Sequence, residues 1–132
     1  MTNQSSEELP LLTYNSLYNL LRGEKKLKSL QELPELFYEA LEKFFEDKKN
    51  EIKRVKDNGD LDKLKREKHV YENSKKIAKE LLSLRCVKIS KIAIENQFFG
   101  DDVLPKTNIL NSEEEFLICV QSGVKNVKML EK

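Results

Sequence analysis

Arg85 and Lys88 carry the charges that are hardest to place in this chain. They lie in residues 71–93, YENSKKIAKELLSLRCVKISKIA. At about 100° per residue, as in an α-helix, Tyr71, Ser74, Ile77, Ala78, Leu81, Leu82, Ile89, Ile92 and Ala93 gather on one side. Lys75, Lys79, Ser83 and Ser90 lie on the other. Arg85 falls in the middle of the apolar side, and Lys88 falls near its margin. A guanidinium among aliphatic side chains must be ion-paired or hydrogen-bonded, because an uncompensated buried charge is strongly destabilising. Either the helix packs on elements that bring carboxylates to Arg85, or it presents Arg85 to a partner. The first alternative is an intramolecular buried ion pair, with carboxylates or helix-end carbonyls from the first two helices. Glu35 and Glu39 are the expected acids.

The remaining reactive side chains form no catalytic pattern. Cys86 and Cys119 stand far apart, outside any CxxC spacing, and His69 is the only histidine. No zinc pattern results, and no disulfide framework is expected. There is no glycine-rich phosphate loop, GxSxG elbow, HExxH or DxDxDG segment. Carboxylates are abundant but scattered among lysines along charged helical surface, where i, i+4 pairs are solvated. The expectation is a protein that is not an enzyme, with no cofactor and no metal.

The elements that must position Arg85 and Lys88 are helical. Charged residues make up 36% of the 132 residues and hydrophobic ones 39%, with only 4 Gly and 3 Pro, the composition of one helix-rich domain with a real core. The 24 basic residues balance 23 acidic ones. A net charge of +1 argues against a dedicated binder of DNA backbone, which needs a strongly basic face. The N-terminal MTNQSSEELP has no apolar signal core, and no apolar run approaches the ~20 residues of a membrane span. A soluble cytoplasmic protein is expected, or a nuclear one if the source is eukaryotic. Its two isolated cysteines suit a reducing compartment.

Thr13 can N-cap a first helix carrying Tyr14, Leu17, Tyr18, Leu20 and Leu21, with Gly23, Lys25 and Lys26 near its end. Pro34 and Glu35 suit the first turn of a second helix carrying Leu36, Phe37, Ala40, Leu41, Phe44, Phe45, Ile52 and Val55. Asn58-Gly59-Asp60 is a turn that reverses the chain into a third helix over about residues 61–97. That helix would be roughly 55 Å long at ~1.5 Å per residue. Its charged start should lie back along the polar end of the second helix, making a long αα-hairpin. Ser112 and Glu115 read as a capping box ahead of a fourth helix over about residues 113–121, ended by Gly123. A strand in FLICV is the alternative, since that run is β-rich. The fold class is therefore an all-α bundle with a long hairpin. Residues 1–12 are expected to be flexible, residues 13–121 to form the helical domain and residues 122–132 a tail.

Three ordered pieces of the chain resemble a subunit of the GINS complex, the replication factor that joins the MCM helicase in archaea and eukaryotes. YNSLYNLLRGEK, residues 14–25, is similar to the family's first helix ending in Arg-x-Glu. LQELPELFYEALEKFFE, residues 30–46, is similar to its LQ-x-L…FY start of the second helix. NSKKIAKELLSLRCVKISKIA, residues 73–93, is similar to its long helix closing on R-x-x-K-I with a following Ala. No one piece is specific, but together they span about 80 residues in the family's order.

The resemblance implies an α-helical A domain whose helices bundle with those of sister subunits. Members with this domain first usually carry a β-rich B domain after it. The eleven residues beyond Gln121 are too few for one, so either this protein lacks it or the chain is a piece of a longer one. The resemblance also matches Arg22 and Glu24 to the family's R-x-E, and Arg85 and Lys88 to its R-x-x-K, as structural or interface positions. Tyr14, Tyr18, Phe37, Tyr38, Phe44 and Ile89 complete the expected structural and interface set, because one thin hairpin has little room to bury so many large apolar side chains. The implied function is a non-catalytic scaffold. Its implied partners are a sister GINS subunit in a homo- or hetero-tetramer, the MCM helicase and a RecJ-like protein, with weak or indirect DNA contact and no membrane. The alternative, from another class, is a nucleic-acid-binding helical hairpin that uses the basic residues between 48 and 68.

Overall fold

The computed structural model describes residues 9–100 and 103–128. They form four helices and no strand: α1 (Tyr14–Lys26), α2 (Phe37–Asn58), α3 (Leu61–Phe99) and α4 (Asn111–Lys128). The all-α fold class is as expected. No helix among the described residues is long and apolar enough to cross a membrane.

The ends of α1 and α2 follow from local chemistry. The Thr13 amide donates to Ser16 Oγ at 2.8 Å, and the Ser16 amide donates to Thr13 Oγ1 at 3.1 Å. Two orphan donors of the first turn are thus satisfied reciprocally. Helix α2 begins later than Pro34 implies. Its first bond is accepted by the Leu36 carbonyl, from the Ala40 amide at 2.9 Å, and Pro34 and Glu35 lie ahead of the helix. It ends at Gly59, which takes φ 77° and donates to the Lys56 carbonyl at 3.1 Å. This left-handed cap is cheap only for a residue without Cβ. The following Asp60 accepts the Lys63 amide at 3.1 Å, starting α3.

Helix α4 departs from expectation at both ends. The Glu113 carboxylate accepts the Leu110 amide at 3.0 Å, while the Glu113 amide donates to the Leu110 carbonyl at 2.8 Å. Glu113 is therefore the back-reaching acid of the cap, and Ser112 and Glu115 lie inside the helix. At the other end the helix passes Gly123 and reaches Lys128, because Val124 is buried and the next turn follows it. FLICV is helical. Leu117 and Val120 pack inward one turn apart, while Phe116 and Ile118 are exposed, a period of 3.6 rather than 2.

The described chain divides into two compact units. The first comprises residues 9–22 and Leu36–Glu80. Its core holds Leu12, Leu17, Leu21, Phe37, Ala40, Leu41, Phe44, Val55, Ile77 and Ala78. Phe44, Phe45 and Tyr71 meet edge to face, with centroids 5.2 and 5.7 Å apart, a favoured arrangement of ring quadrupoles. The charged start of α3 meets α2 as expected, through Lys63 and Glu51 at 4.0 Å. Of the segments expected to be loose, residues 9–12 bring Leu12 into this core, residues 122–128 are helical, and residues 1–8 and 129–132 lie outside the described residues.

The second unit comprises Gly23–Glu35 and the described residues from Leu81 onward. Its core is Leu30, Ile89, Ile92, Ala93 and Leu117, with Leu104, Ile109 and Val120 packed against it.

Two glycines should respond oppositely to the same substitution. A Cβ at either Gly59 or Gly123 would meet open space. At Gly59 the positive φ makes Ala strained, so Gly59→Ala should lower stability by about 1 kcal/mol. At Gly123, inside α4, Ala should raise stability by about 0.5–1 kcal/mol through helix propensity. Chemical denaturation of both variants measures the two signs.

Candidate functional site

Arg85 lies in the second unit with its side chain fully buried, and every donor of its guanidinium is used. Nε donates to Glu113 Oε2 at 2.7 Å and Nη2 to Glu113 Oε1 at 2.9 Å, the parallel fork that matches guanidinium to carboxylate. Nη2 also donates to the Asn108 carbonyl at 2.9 Å. Nη1 donates to Glu24 Oε1 at 2.9 Å and to the Gln31 carbonyl at 2.8 Å. Five N–H groups thus meet four acceptors' residues, with none left over.

Glu24, in the last turn of α1, is also fully buried. Its Oε1 accepts from Arg85 and from Gln31 Nε2 at 3.3 Å. Its Oε2 accepts from Lys88 Nζ at 2.7 Å and from the Gln31 amide at 3.1 Å. Lys88 spends its other two donors on the Glu24 and Ser29 carbonyls, at 2.7 and 2.9 Å. An ammonium at that point satisfies an orphan carbonyl at the C-terminus of α1 and complements the helix dipole. Close approach also explains Gly23, because a Cβ there would run into the Gln31 side-chain amide that reaches Glu24.

The electrostatics follow from this geometry. Burial alone would raise the Glu24 carboxyl, but Lys88, the Gln31 amide and Arg85 together hold it below the ordinary value of 4.5. Burial pulls the Arg85 guanidinium down, and Glu113 and Glu24 outweigh it, so the group stays charged. Two cations face two anions, leaving the cluster neutral. Next to it, burial and the Glu113 charge push the Cys86 thiol up, the reverse of an activated nucleophile. The described residues hold no group of three or more His, Cys, Asp or Glu that could bind a metal.

The expected acids Glu35 and Glu39 are both exposed and do not reach Arg85. Glu24 and Glu113 take their place, because the last turn of α1 and the first turn of α4 abut α3 at Arg85. Of the expected set, Glu24, Arg85, Lys88 and Ile89 fall together in this unit. Tyr14, Tyr18, Arg22, Phe37, Tyr38 and Phe44 belong to the other. Phe37 and Phe44 are buried within it, Tyr14 and Tyr38 are half-buried, and Tyr18 and Arg22 are exposed. The aromatics therefore serve mainly as this chain's own core. Three members of the cluster escaped the sequence: Gln31, Asn108 and Glu113. Glu113 precedes an apolar run, a position that favours a helix-capping acid. Asn108 sits at φ 68°, which Asn tolerates better than most residues, and no linear pattern announces it.

Arg85→Ala strands two buried carboxylates, and should cost about 3–5 kcal/mol in denaturant unfolding. The Glu24 carboxyl also makes stability depend on pH. Its folded pKa lies below its unfolded one, so its contribution is present above the unfolded value and lost as pH falls through the folded one. The unfolding midpoint should therefore drop as pH falls below the ordinary carboxyl value of 4.5, and Glu24→Gln should flatten that drop while lowering stability at neutral pH. No family model, curated protein or solved structure matches this chain, so the reading of the cluster rests on its own geometry.

Proposed function

We propose that this chain is a non-catalytic GINS-type scaffold subunit, a DNA replication factor that assembles with a sister subunit and supports the MCM helicase. One observation carries the reading. The three pieces of sequence that resemble the family meet in a single buried cluster. Glu24 comes from the first, Gln31 from the second, and Arg85 and Lys88 from the third. These partners are 54 to 64 positions apart in the chain, yet bond directly. A buried guanidinium needs such partners in any fold; here Glu24 and Gln31 come from the resembling pieces, and Asn108 and Glu113 from outside them.

The cluster spends all its charge on holding the fold, which suits a scaffold. What remains for a partner is aliphatic surface. In the second unit, Val87 on α3 is 65% exposed and Ile118 on α4 is 57% exposed, with Ile94 and Val127 also open to solvent. Such side chains on a polar surface are what a subunit interface covers.

The nucleic-acid hairpin is the second reading. The basic residues between 48 and 68 are partly engaged within the chain: Arg54 forks onto Glu51 at 2.6 and 3.2 Å, and Lys48 lies over the Phe44 ring at 5.7 Å. Less of that positive charge is free for phosphates than the sequence implies.

Light scattering at low and high salt, alone and with a candidate sister subunit, tests the proposal. Association should persist at high salt and bury on the order of 2,000 Å² in total, as obligate assemblies do. Val87→Glu with Ile94→Glu should weaken it while leaving the helical far-UV signal unchanged. A stable monomer that ignores the partner and binds DNA with a steep salt slope transfers the function to the nucleic-acid hairpin.

A further inference from the structure

A cavity of about 250 Å³ opens in the second unit between the loop after α1, the side of α3 and the loop before α4. Leu30, Ile92, Leu104 and Pro105 supply its apolar walls, and Lys28 and Lys91 stand at its rim. We propose that it is an anchor pocket for a protein partner. The segment it takes is one large apolar side chain flanked by Asp or Glu.

Three observations carry this. The first is size. Pockets for drug-sized molecules run to roughly 300–1,000 Å³, so this one holds about a single leucine or phenylalanine side chain. Buried anchors of that kind dominate protein interfaces. The second is charge. Lys88 is consumed by Glu24 and Ser29, but Lys28 and Lys91 are exposed and make no ion pair among the described residues. Two free ammoniums beside an apolar hole complement a leucine or phenylalanine with carboxylates on either side, and repel a basic segment.

The third observation is preorganisation. Asn96 Nδ2 donates to the Leu104 carbonyl at 2.9 Å and Asn96 Oδ1 accepts the Leu104 amide at 2.7 Å. Asn108 Nδ2 donates to the Leu30 carbonyl at 3.2 Å, and Lys88 holds the Ser29 carbonyl. The loop before α4 is therefore pinned by the buried Asn96, and the loop after α1 by the half-buried Lys88 and the exposed Asn108. A pocket already in its binding shape spares the partner the cost of ordering it. The proposal is independent of the subunit reading, since it needs no assembly of this chain.

The test is an amide NMR titration of the full chain with capped peptides. Gly-Glu-Leu-Glu-Gly should shift the amides of Leu30, Ile92 and Leu104. Gly-Glu-Ala-Glu-Gly should bind about tenfold weaker, since the pocket-filling group is gone. Gly-Lys-Leu-Lys-Gly should not bind. Lys28→Glu with Lys91→Glu should weaken the first peptide about tenfold, and added salt should weaken it further. Thr107→Trp, at the mouth of the pocket, should abolish binding, with spectral dispersion showing that each variant is folded. Equal binding of the alanine peptide, shifts confined to other faces, the absence of any shift, or tighter binding of octanoate at the same residues each overturns the proposal. Light scattering of the double-glutamate variant separates this site from self-assembly, which it should leave unchanged.

Discussion

The desolvation of one guanidinium governs the second unit of this protein. A buried arginine is tolerable only when all its donors are answered and its charge is matched. Arg85 is answered by two carboxylates and two backbone carbonyls, drawn from four separate segments. Each of those segments is thereby fixed: the end of α1 through Glu24, the loop after it through Gln31, the loop before α4 through Asn108, and α4 itself through Glu113. The unit also buries apolar side chains, among them Leu33, Leu81, Ile89, Leu110 and Val124, and these directional bonds add fixed points to that packing.

That dependence shapes details that look unrelated. Glu113 cannot both face Arg85 and leave the Leu110 amide unpaired, and its position in the first turn lets it do both jobs. The start of α4 is set by this acid, not by the serine that precedes it. Gly23 makes room for Gln31, whose side chain and amide fill the two remaining places on Glu24. Lys88 completes the same carboxylate and closes α1. Buried ion clusters are weak sources of net stability beside hydrophobic groups of similar size. What they supply here is direction, since each donor of Arg85 meets an acceptor on a different segment or on the forked Glu113 carboxylate.

The first unit is held differently. Its contacts are those of large apolar side chains, above all Phe37, Phe44 and Leu17, with aromatic edges set against aromatic faces. Its exposed ion pairs, such as Lys43 with Asp47, are of the i, i+4 kind that contributes little. Core packing of this sort tolerates adjustment, whereas the Arg85 cluster does not.

Periodicity alone determined most of the secondary structure. Four helices, the Asn58-Gly59-Asp60 reversal and the Thr13 start are local matters of propensity, capping and turn conformation, legible residue by residue. The phase of α3 was legible too, and with it the burial of Arg85, since a helix places its residues on faces by number alone. The burial of the aromatics was not, because it depends on which faces meet. Nor were the acids that meet Arg85. Glu35 and Glu39 are closer in the chain to the second helix's start, but Glu24 and Glu113 are closer in space, 61 and 28 positions away. Which carboxylate answers a buried cation is decided by how helix ends come together, and no pattern within a single segment records that. The end of α4 was misread for the same reason: Gly123 is a stop signal locally, and the burial of Val124 by tertiary packing overrides it.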